Sequence, residues 1–320
     1  MPRTASGYSG FALSITVLML SGCDGRPVET LQEYASGKGE LSDETLNTQD
    51  ETGRTPLHWA CFNGDGQQAR ELIAAGASLT IVGPIGTPLH DAAWKGHSEL
   101  VALLIEAGAD PNSESQHGYT VLDVAIDGSL AQRSREADFT SAINTLTDGG
   151  AAMSMHNVAA LGDLKEMESL LEKDAQNASR VRDSDLSTPL HLASAHGRQD
   201  AAQLLVEVGA DPDSRNRGGE TPLHAAARHG HTGIANLLLD RNASTLGSFS
   251  TGETPLHLAA ALGRTEIVRL ILGSGVSPDL KDDYGNTPLH KCAANGQLES
   301  CRLLVVHGAT ISAQNLSGDT

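Results

Sequence analysis

Residues 254–272 read TPLHLAAALGRTEIVRLIL, and the first four letters of this stretch also begin at residues 55, 87, 188, 221 and 287. From residue 188 onward the threonines stand 33 residues apart, at 188, 221, 254 and 287. The step from 55 to 87 is 32 residues, and a further 33 lead to Thr120 in the related stretch TVLD. A fixed period of this length is typical of a stacked repeat, in which each copy forms one structural unit.

A weaker copy fills the gap between residues 120 and 188. Thirty-three residues after Thr120 comes Met153, in MSMHNVAALGD, where His156 and Gly162 keep their places although the Thr and Pro are missing. The next step, from 153 to 188, is 35 residues. Eight units in register therefore cover residues 50–318.

Each unit carries the start and stop signals of two helices. Thr is a favoured helix cap and Pro is tolerated at the first helical position, so a first helix is predicted to begin at each TP. In seven units a glycine nine residues after the cap position should end that helix. These are Gly64, Gly96, Gly162, Gly197, Gly230, Gly263 and Gly296.

A second helix follows with its own apolar stripe, as in Ile267, Val268, Ile271 and Leu272. It should end at a residue that tolerates the left-handed conformation. The residues in that place are Gly76, Gly108, Gly209, Gly275 and Gly308, with Asn242 and Asp174 as substitutes. The stretches beyond, such as GADPDSRNRGGE, are rich in Asp, Asn, Gly and Pro and predict turn-like fingers.

The repeated letters resemble the ankyrin repeat. The resemblance includes TPLH, the pair of alanines after it, the Gly-His pairs at 96–97 and 230–231, and LLVEVGAD at 204–211. It extends over roughly 270 of the residues. It implies an all-α solenoid of about eight helix-turn-helix units, with β-hairpin fingers along one edge.

The recurrent histidine is the most conspicuous candidate for chemistry. Seven of the 13 histidines lie in the first turn of the first helices: His58, His90, His156, His191, His224, His257 and His290. In the ankyrin family this imidazole bonds the capping Thr and ties neighbouring units together. Equivalent residues of stacked helices stand about 8–10 Å apart, too far for a shared ligand, so we predict neither a catalytic nor a metal site.

Composition favours an interaction module. Lys and Arg number 22 against 40 Asp and Glu, which gives a net charge of −18 and disfavours nucleic acid as a partner. The chain contains no GxGxxG after a strand, no Walker loop, no GxSxG elbow and no HExxH. We therefore expect no catalysis, no cofactor and no small-molecule substrate.

The first 45 residues predict export and attachment. Arg3 precedes an apolar run from Phe11 to Leu20, half the length of a bilayer span, so residues 1–22 are interpreted as a signal peptide. Leu20-Ser21-Gly22-Cys23 resembles the lipobox of bacterial lipoproteins, which implies acylation of Cys23; the alternative is ordinary secretion with an incidental cysteine. Polar residues 23–45 would form a flexible tether to the membrane, on the periplasmic side of a bacterial cell envelope.

The array itself is irregular. The third unit carries about nine extra residues in SLAQRSREADFTSAINTLTDGG and lacks the finger that should follow, so we predict two lobes, 46–150 and 151–320. Thr320 occupies the cap position of a ninth unit, which predicts a truncated sequence or an unpaired last finger. Cys61 should be a small buried residue. Cys292 and Cys301 belong to the two helices of one unit, and their pairing in a disulfide is left open.

The positions that stacking leaves free should bind a partner protein in the concave groove of the solenoid. They are Phe62, Asn63, Trp94, Lys95, Tyr119, Asp127, His196, Arg217, Glu220, Arg228, His229, Leu262, Tyr284 and Asn295. Phe62 and Trp94 hold equivalent positions of neighbouring units and are predicted to form an energetic hot spot. The alternative is that they pack against an adjacent finger.

The sequence thus predicts a membrane-tethered ankyrin scaffold that binds an unidentified protein without catalysis. Two other hypotheses remain open at this point. The chain could be the regulatory portion of a longer protein with an enzymatic domain beyond residue 320, or a secreted effector that binds host proteins. The fold alone does not identify the partner.

Overall fold

The computed structural model describes residues 46–132, 136–248 and 250–320. The predicted signal peptide, Cys23 and the tether lie outside these residues. Within them the secondary structure consists of 16 α-helices and one 3-10 helix, with no strand beyond an isolated bridge between Glu114 and Thr120. The predicted all-α repeat architecture is confirmed.

Each unit contributes one first helix and one second helix. The first helices are α1 (Pro56–Asn63), α3 (Pro88–Trp94), α5 (Val121–Ala131), α7 (Met155–Leu161), α9 (Pro189–His196), α11 (Pro222–His229), α13 (Pro255–Ala261) and α15 (Pro288–Ala294). The second helices are α2 (Gly66–Ala74), α4 (Ser98–Glu106), α6 (Glu136–Asp148), α8 (Leu164–Lys173), α10 (Gln199–Glu207), α12 (Thr232–Asp240), α14 (Thr265–Gly273) and α16 (Leu298–Val306). The 3-10 helix, Ala175–Ser179, follows α8.

Most of the predicted caps and stops form as expected. At α1 the backbone N–H of Thr55 donates to Nδ1 of His58 at 3.2 Å, while the Thr55 side chain accepts from the His58 N–H. The seven stop glycines all have positive φ, between 67° and 83°. Gly197 shows a second constraint, because a Cβ at this position would collide with the His231 ring of the next unit. A side chain is therefore excluded there by conformation and by space.

Two details of the predicted register are wrong. The fourth unit is capped by Ser154, not at Met153, so His156 lies two residues after the cap and Asn157 takes the third position. Asp174 does not adopt the left-handed conformation, since its φ is −156°. Its carboxylate instead caps the 3-10 helix by accepting from the N–H of Gln176 at 3.0 Å. Both differences arise because a short polar side chain bonds nearby backbone groups wherever geometry allows.

Contacts divide the chain into two compact lobes between Met153 and Ser154. In the first lobe α1, α3 and α5 pack in succession, and α2, α4 and α6 form the second layer. In the second lobe one layer consists of α7, α9, α11, α13 and α15, and the other consists of α8, α10, α12, α14 and α16. Fully buried Leu and Ala residues such as Leu256 and Ala259 fill the space between the layers. Burying a Leu side chain contributes roughly 1.5–3 kcal/mol, so stability accumulates from many small interfaces.

The fingers are tight turns held by hairpin-type hydrogen bonds. In one of them the N–H of Asn216 donates to the carbonyl of Glu220 at 3.0 Å, and the N–H of Gly219 donates back to Asn216 at 2.9 Å. Successive fingers are joined by backbone bonds, for example from Arg217 N–H to Asp185 O at 2.8 Å. Residues 149–154, which connect α6 to α7, are too few for such a finger.

A disulfide joins α15 to α16. It links Cys292 and Cys301, whose Cα atoms are 5.7 Å apart, and this answers the question that the sequence left open. Cys61 is a free, fully buried thiol. In the part of the chain that the structure describes, no helix combines the length and the apolar character needed to cross a bilayer.

Candidate protein-binding surface

Seven of the eight units carry a recurrent imidazole that bonds the finger after it, whereas the third unit has Asp123 in this position. The Nε2 atoms of these imidazoles lie 2.9–3.2 Å from the backbone carbonyl of the residue just before the following cap position. The pairs are His58–Gly86, His90–Tyr119, His156–Ser187, His191–Glu220, His224–Glu253, His257–Asn286 and His290–Asp319. Where Nδ1 accepts the N–H of the capping Thr, Nε2 must carry the proton and donate it to the carbonyl.

Five of these histidines are held neutral by burial. Burial lowers the pKa of His58, His90 and His191 to about 4 and that of His224 to about 3, and it also lowers the pKa of His257. Both ring nitrogens are occupied, so neither is available to take a substrate proton or a metal. Among residues 46–132, 136–248 and 250–320, no group of three or more His, Cys, Asp or Glu side chains could hold a metal ion.

In the fourth unit the two roles of the histidine are divided between two residues. Asn157 completes the capping box of α7, because its Oδ1 accepts from the N–H of the cap residue Ser154 at 2.9 Å. His156 makes the bond between units, with Nε2 3.0 Å from the carbonyl of Ser187. The one-residue shift of the cap is thereby compensated, and the backbone link to the fifth unit is kept.

In the first lobe, two cations lie over the ring of Phe62. Lys95 Nζ stands 4.1 Å from the Phe62 ring centroid, and the guanidinium carbon of Arg54 stands 4.9 Å from it. The Trp59 ring meets Phe62 edge to face at 5.9 Å and donates its Nε1–H to Asp50 at 2.7 Å. Phe62 and Lys95 are half-buried and the adjacent Asn63 is exposed. This cluster of Trp59, Phe62, Asn63 and Lys95, here called the Phe62 cluster, is a pre-organised aromatic and cationic surface.

The predicted exposure of three other residues in the first lobe is wrong. Trp94 is 4% exposed and Tyr119 is 3% exposed, and both belong to a core cluster with Ile85 and Val124. Asp127 is also buried, in α5. The finger that carries Tyr119 and the long helix α5 cover the Trp94 ring. The alternative that Trp94 packs against a neighbouring finger is therefore correct, and Phe62 alone of the proposed hot-spot pair reaches the surface.

In the second lobe, two of the predicted contact residues form an ion pair with each other. Arg228 on α11 is 7% exposed and bonds the Glu220 carboxylate in the preceding finger, so neither charge is free for a partner. The remaining predicted residues keep accessible surface. His196, His229 and Leu262 are half-buried near the ends of first helices, while Arg217, Tyr284 and Asn295 are exposed.

Sequence reasoning missed the residues that organise these surfaces from below. Lys291 on α15 bonds Glu253 at 2.7 Å and Asp282 at 2.9 Å, which ties two fingers to one helix. Burial alone would lower the pKa of Lys291, but its bonds to Asp282 and Glu253 outweigh that cost and raise the pKa. A charge placed just before one cap and an opposite charge four residues after the next cap was the available signal.

Comparison with known proteins agrees with this geometry. A family model described as ankyrin repeats (3 copies) matches residues 16–115, 154–247 and 245–315. The chain belongs to the ankyrin-repeat family, a class of protein-interaction scaffolds.

A stretch of 66 residues is 36% identical to a transient receptor potential cation channel subfamily A member 1 homolog from Caenorhabditis elegans. That match covers 21% of this chain and 5% of the channel. A match of this length assigns none of the channel's own activity to this chain.

Proposed function

We propose that this protein is a non-catalytic ankyrin scaffold that is lipid-anchored through Cys23 in a bacterial cell envelope and captures a partner protein. The observation that carries the proposal is the occupation of both nitrogens of the recurrent histidines by scaffold bonds. Because the periodic residues are used for stacking, the accessible variable residues are the groups left for recognition. Anchoring rests on residues 1–45, whose lipobox resemblance supports it.

In the first lobe, partner recognition would centre on the Phe62 cluster. Aromatic side chains provide large contact areas, and the ring is held in place by Trp59 and by the cations Arg54 and Lys95. A surface that is ordered before binding loses little conformational entropy on association. In the second lobe, a separate set of accessible residues would contact the partner. They are His196, Arg217, His229, Leu262, Tyr284 and Asn295.

Anchoring and binding are tested separately. Bacteria that express the full chain are grown with labelled palmitate, and Cys23→Ala is compared with the wild type. The proposal expects label in the membrane fraction for the wild type and none for C23A. Secretion of unlabelled wild-type protein would favour the effector hypothesis over a tethered scaffold.

Partner capture is tested with the solubilised full-length protein. Phe62→Ala and Lys95→Ala are compared with Arg70→Ala, a matched control on the exposed surface of the second helix α2. F62A and K95A should reduce capture of a protein retained by the wild type at least about tenfold, as interface hot spots do. Equal loss with R70A, or none with F62A, would contradict the assignment of this surface.

A further inference from the structure

The two cysteines of the last unit occupy positions that other units fill with small apolar residues. Cys292 and Cys301 are the fifth and fourteenth residues after Thr287. In five other units these positions hold fully buried pairs: Ala60 with Ala69, Ala92 with Val101, Ala193 with Ala202, Ala226 with Ala235, and Ala259 with Val268. Small side chains therefore suffice to pack the first helix on the second. The disulfide is therefore not needed to pack the first helix on the second.

The helix that the bond secures has less apolar cover than its neighbour. On α16, Val305 is 40% exposed, whereas Leu272 at the equivalent position of α14 is 7% exposed. Leu298 and Val306 on α16 are also largely exposed. Among the described residues α14 packs against α12, α13 and α16, whereas α16 packs against α14 and α15, so α16 buries less apolar area in total and gains less stabilisation from burial. A covalent link across nine residues of chain restricts the separation of the two helices.

The two cysteines differ in burial. Cys292 is fully buried, while Cys301 on α16 is half-buried and is therefore the more accessible residue of the pair. Thiol–disulfide exchange requires that a thiolate approach one sulfur directly, so attack is directed to Cys301. The free thiol of Cys61 lies in a fully buried position, where burial raises its pKa, so it is shielded from the same chemistry.

We propose that Cys292–Cys301 is a reversible thiol–disulfide exchange site that an external dithiol opens at Cys301, and that its state controls the order of α16. The thiolate of the dithiol attacks Sγ of Cys301, forming a mixed disulfide while the Cys292–Cys301 bond breaks and Cys292 leaves as a thiolate. The second thiol of the reagent then displaces Cys301. Two protons and two electrons pass to the protein, giving two cysteine thiols, and the reagent leaves as its own disulfide.

The test uses the full-length protein, purified without reductant and treated with dithiothreitol under native conditions. Alkylation and mass spectrometry report each cysteine, and hydrogen exchange reports residues 288–306. The matched control is the double variant C292A/C301V, which restores the Ala259 and Val268 pair of the preceding unit. Single variants identify the attacked sulfur, since C292A leaves Cys301 able to trap a mixed disulfide with glutathione disulfide, and C301A leaves only the buried Cys292.

We expect Cys292 and Cys301 to become alkylated together while Cys61 stays protected until the protein is unfolded. Amides of α16 should then exchange at least about tenfold faster, with no change in α9–α12 and no effect of dithiothreitol on C292A/C301V. C292A should trap glutathione and C301A should not. The proposal is overturned if the native bond resists dithiothreitol, if exchange in α16 is unchanged on reduction, or if C301A traps glutathione as readily as C292A.

Discussion

The guanidinium of Arg54 lies 3.6 Å from the carboxylate of Asp91, and that carboxylate is fully buried. Arg54 directly precedes a capping Thr, and Asp91 is the fourth residue after the next cap. In the second lobe Glu253 and Lys291 hold the same two positions with the charges reversed, and the Lys291 Nζ lies 2.7 Å from the Glu253 carboxylate. The two pairs differ in hydrogen bonding, because neither oxygen of Asp91 has a hydrogen-bond partner. A buried carboxylate left in this state is costly to ionise.

Asp91→Asn should change how stability depends on pH. Burial raises the pKa of Asp91 to about 7, against 3.8 for an ordinary aspartate, although Arg54 opposes the shift. The folded state therefore binds a proton that the unfolded state releases, and wild-type stability falls as pH rises from about 4 to about 7, by up to ~1.4 kcal/mol per unit. D91N lacks this dependence.

Urea denaturation of both proteins at pH 5, 6 and 7.5 measures the difference. The wild type should lose stability relative to D91N between pH 5 and 7.5. Glu99→Gln, which neutralises an exposed carboxylate on α4, serves as the control and should follow the wild type. A constant difference between wild type and D91N across this range would show that Asp91 does not titrate there.

His224→Asn should separate the two roles of the recurrent histidine. Asn157 shows that an asparagine three residues after the cap can complete the capping box, so H224N keeps the bonds to Thr221 and loses the bond to the Glu253 carbonyl. An unsatisfied buried carbonyl costs roughly 1–3 kcal/mol, so thermal unfolding should begin at a lower temperature. His224→Ala removes the side-chain bonds to Thr221 as well and should cost about 1 kcal/mol more. Equal stability of H224N and the wild type would refute the linking role.

Mild acid should destabilise the whole array. Four buried histidines have a pKa of about 3–4 in the folded protein, against an ordinary value of 6.5. Between pH 6.5 and 4 the unfolded chain takes up protons that the folded chain refuses, so their contribution is complete above 6.5 and is lost as pH falls. Each contributes up to ~1.4 kcal/mol per pH unit. Urea midpoints at pH 7.5, 6 and 5 should decrease in that order, and a constant midpoint would contradict neutral burial.

Trp94→Ala should destabilise the first lobe strongly. The ring is 4% exposed and packs with Tyr119 and Ile85, and large-to-small changes of this kind cost about 3–5 kcal/mol. Lys95→Ala, one residue further along, removes a half-buried side chain and should cost less than about 1 kcal/mol. Chemical denaturation of the two variants provides the comparison. If W94A were as stable as K95A, the placement of Trp94 in the core would be wrong.

Much of the backbone could be predicted from the sequence because the responsible interactions are local. Thr188 caps the helix that begins at the next residue, and Gly197 ends it because a left-handed residue is needed there. The failures were also local, at Met153 and Asp174, where polar side chains offered competing backbone bonds. Within each lobe a period close to 33 residues then keeps successive repeats in register.

The candidate surface was less predictable. Phe62 and Trp94 occupy the same position in neighbouring units, yet one reaches solvent and the other is enclosed by Tyr119 and α5. Arg228 occupies a position where the sequence predicted a binding contact, but its charge pairs with Glu220 instead. Such outcomes depend on the size and charge of residues in another unit, which repeat position alone does not specify.

The sequence by itself determined the repeat and most of its helix boundaries, since these follow from residues a few positions apart, and the ankyrin resemblance implied the scaffold role of the histidines. Only the tertiary structure decided which variable side chains stay accessible, how Lys291 joins two fingers, and that Cys292 meets Cys301. Burial and ion pairing are set by atoms brought together from different units and helices. Their distances exist only after stacking has placed one helix against the next.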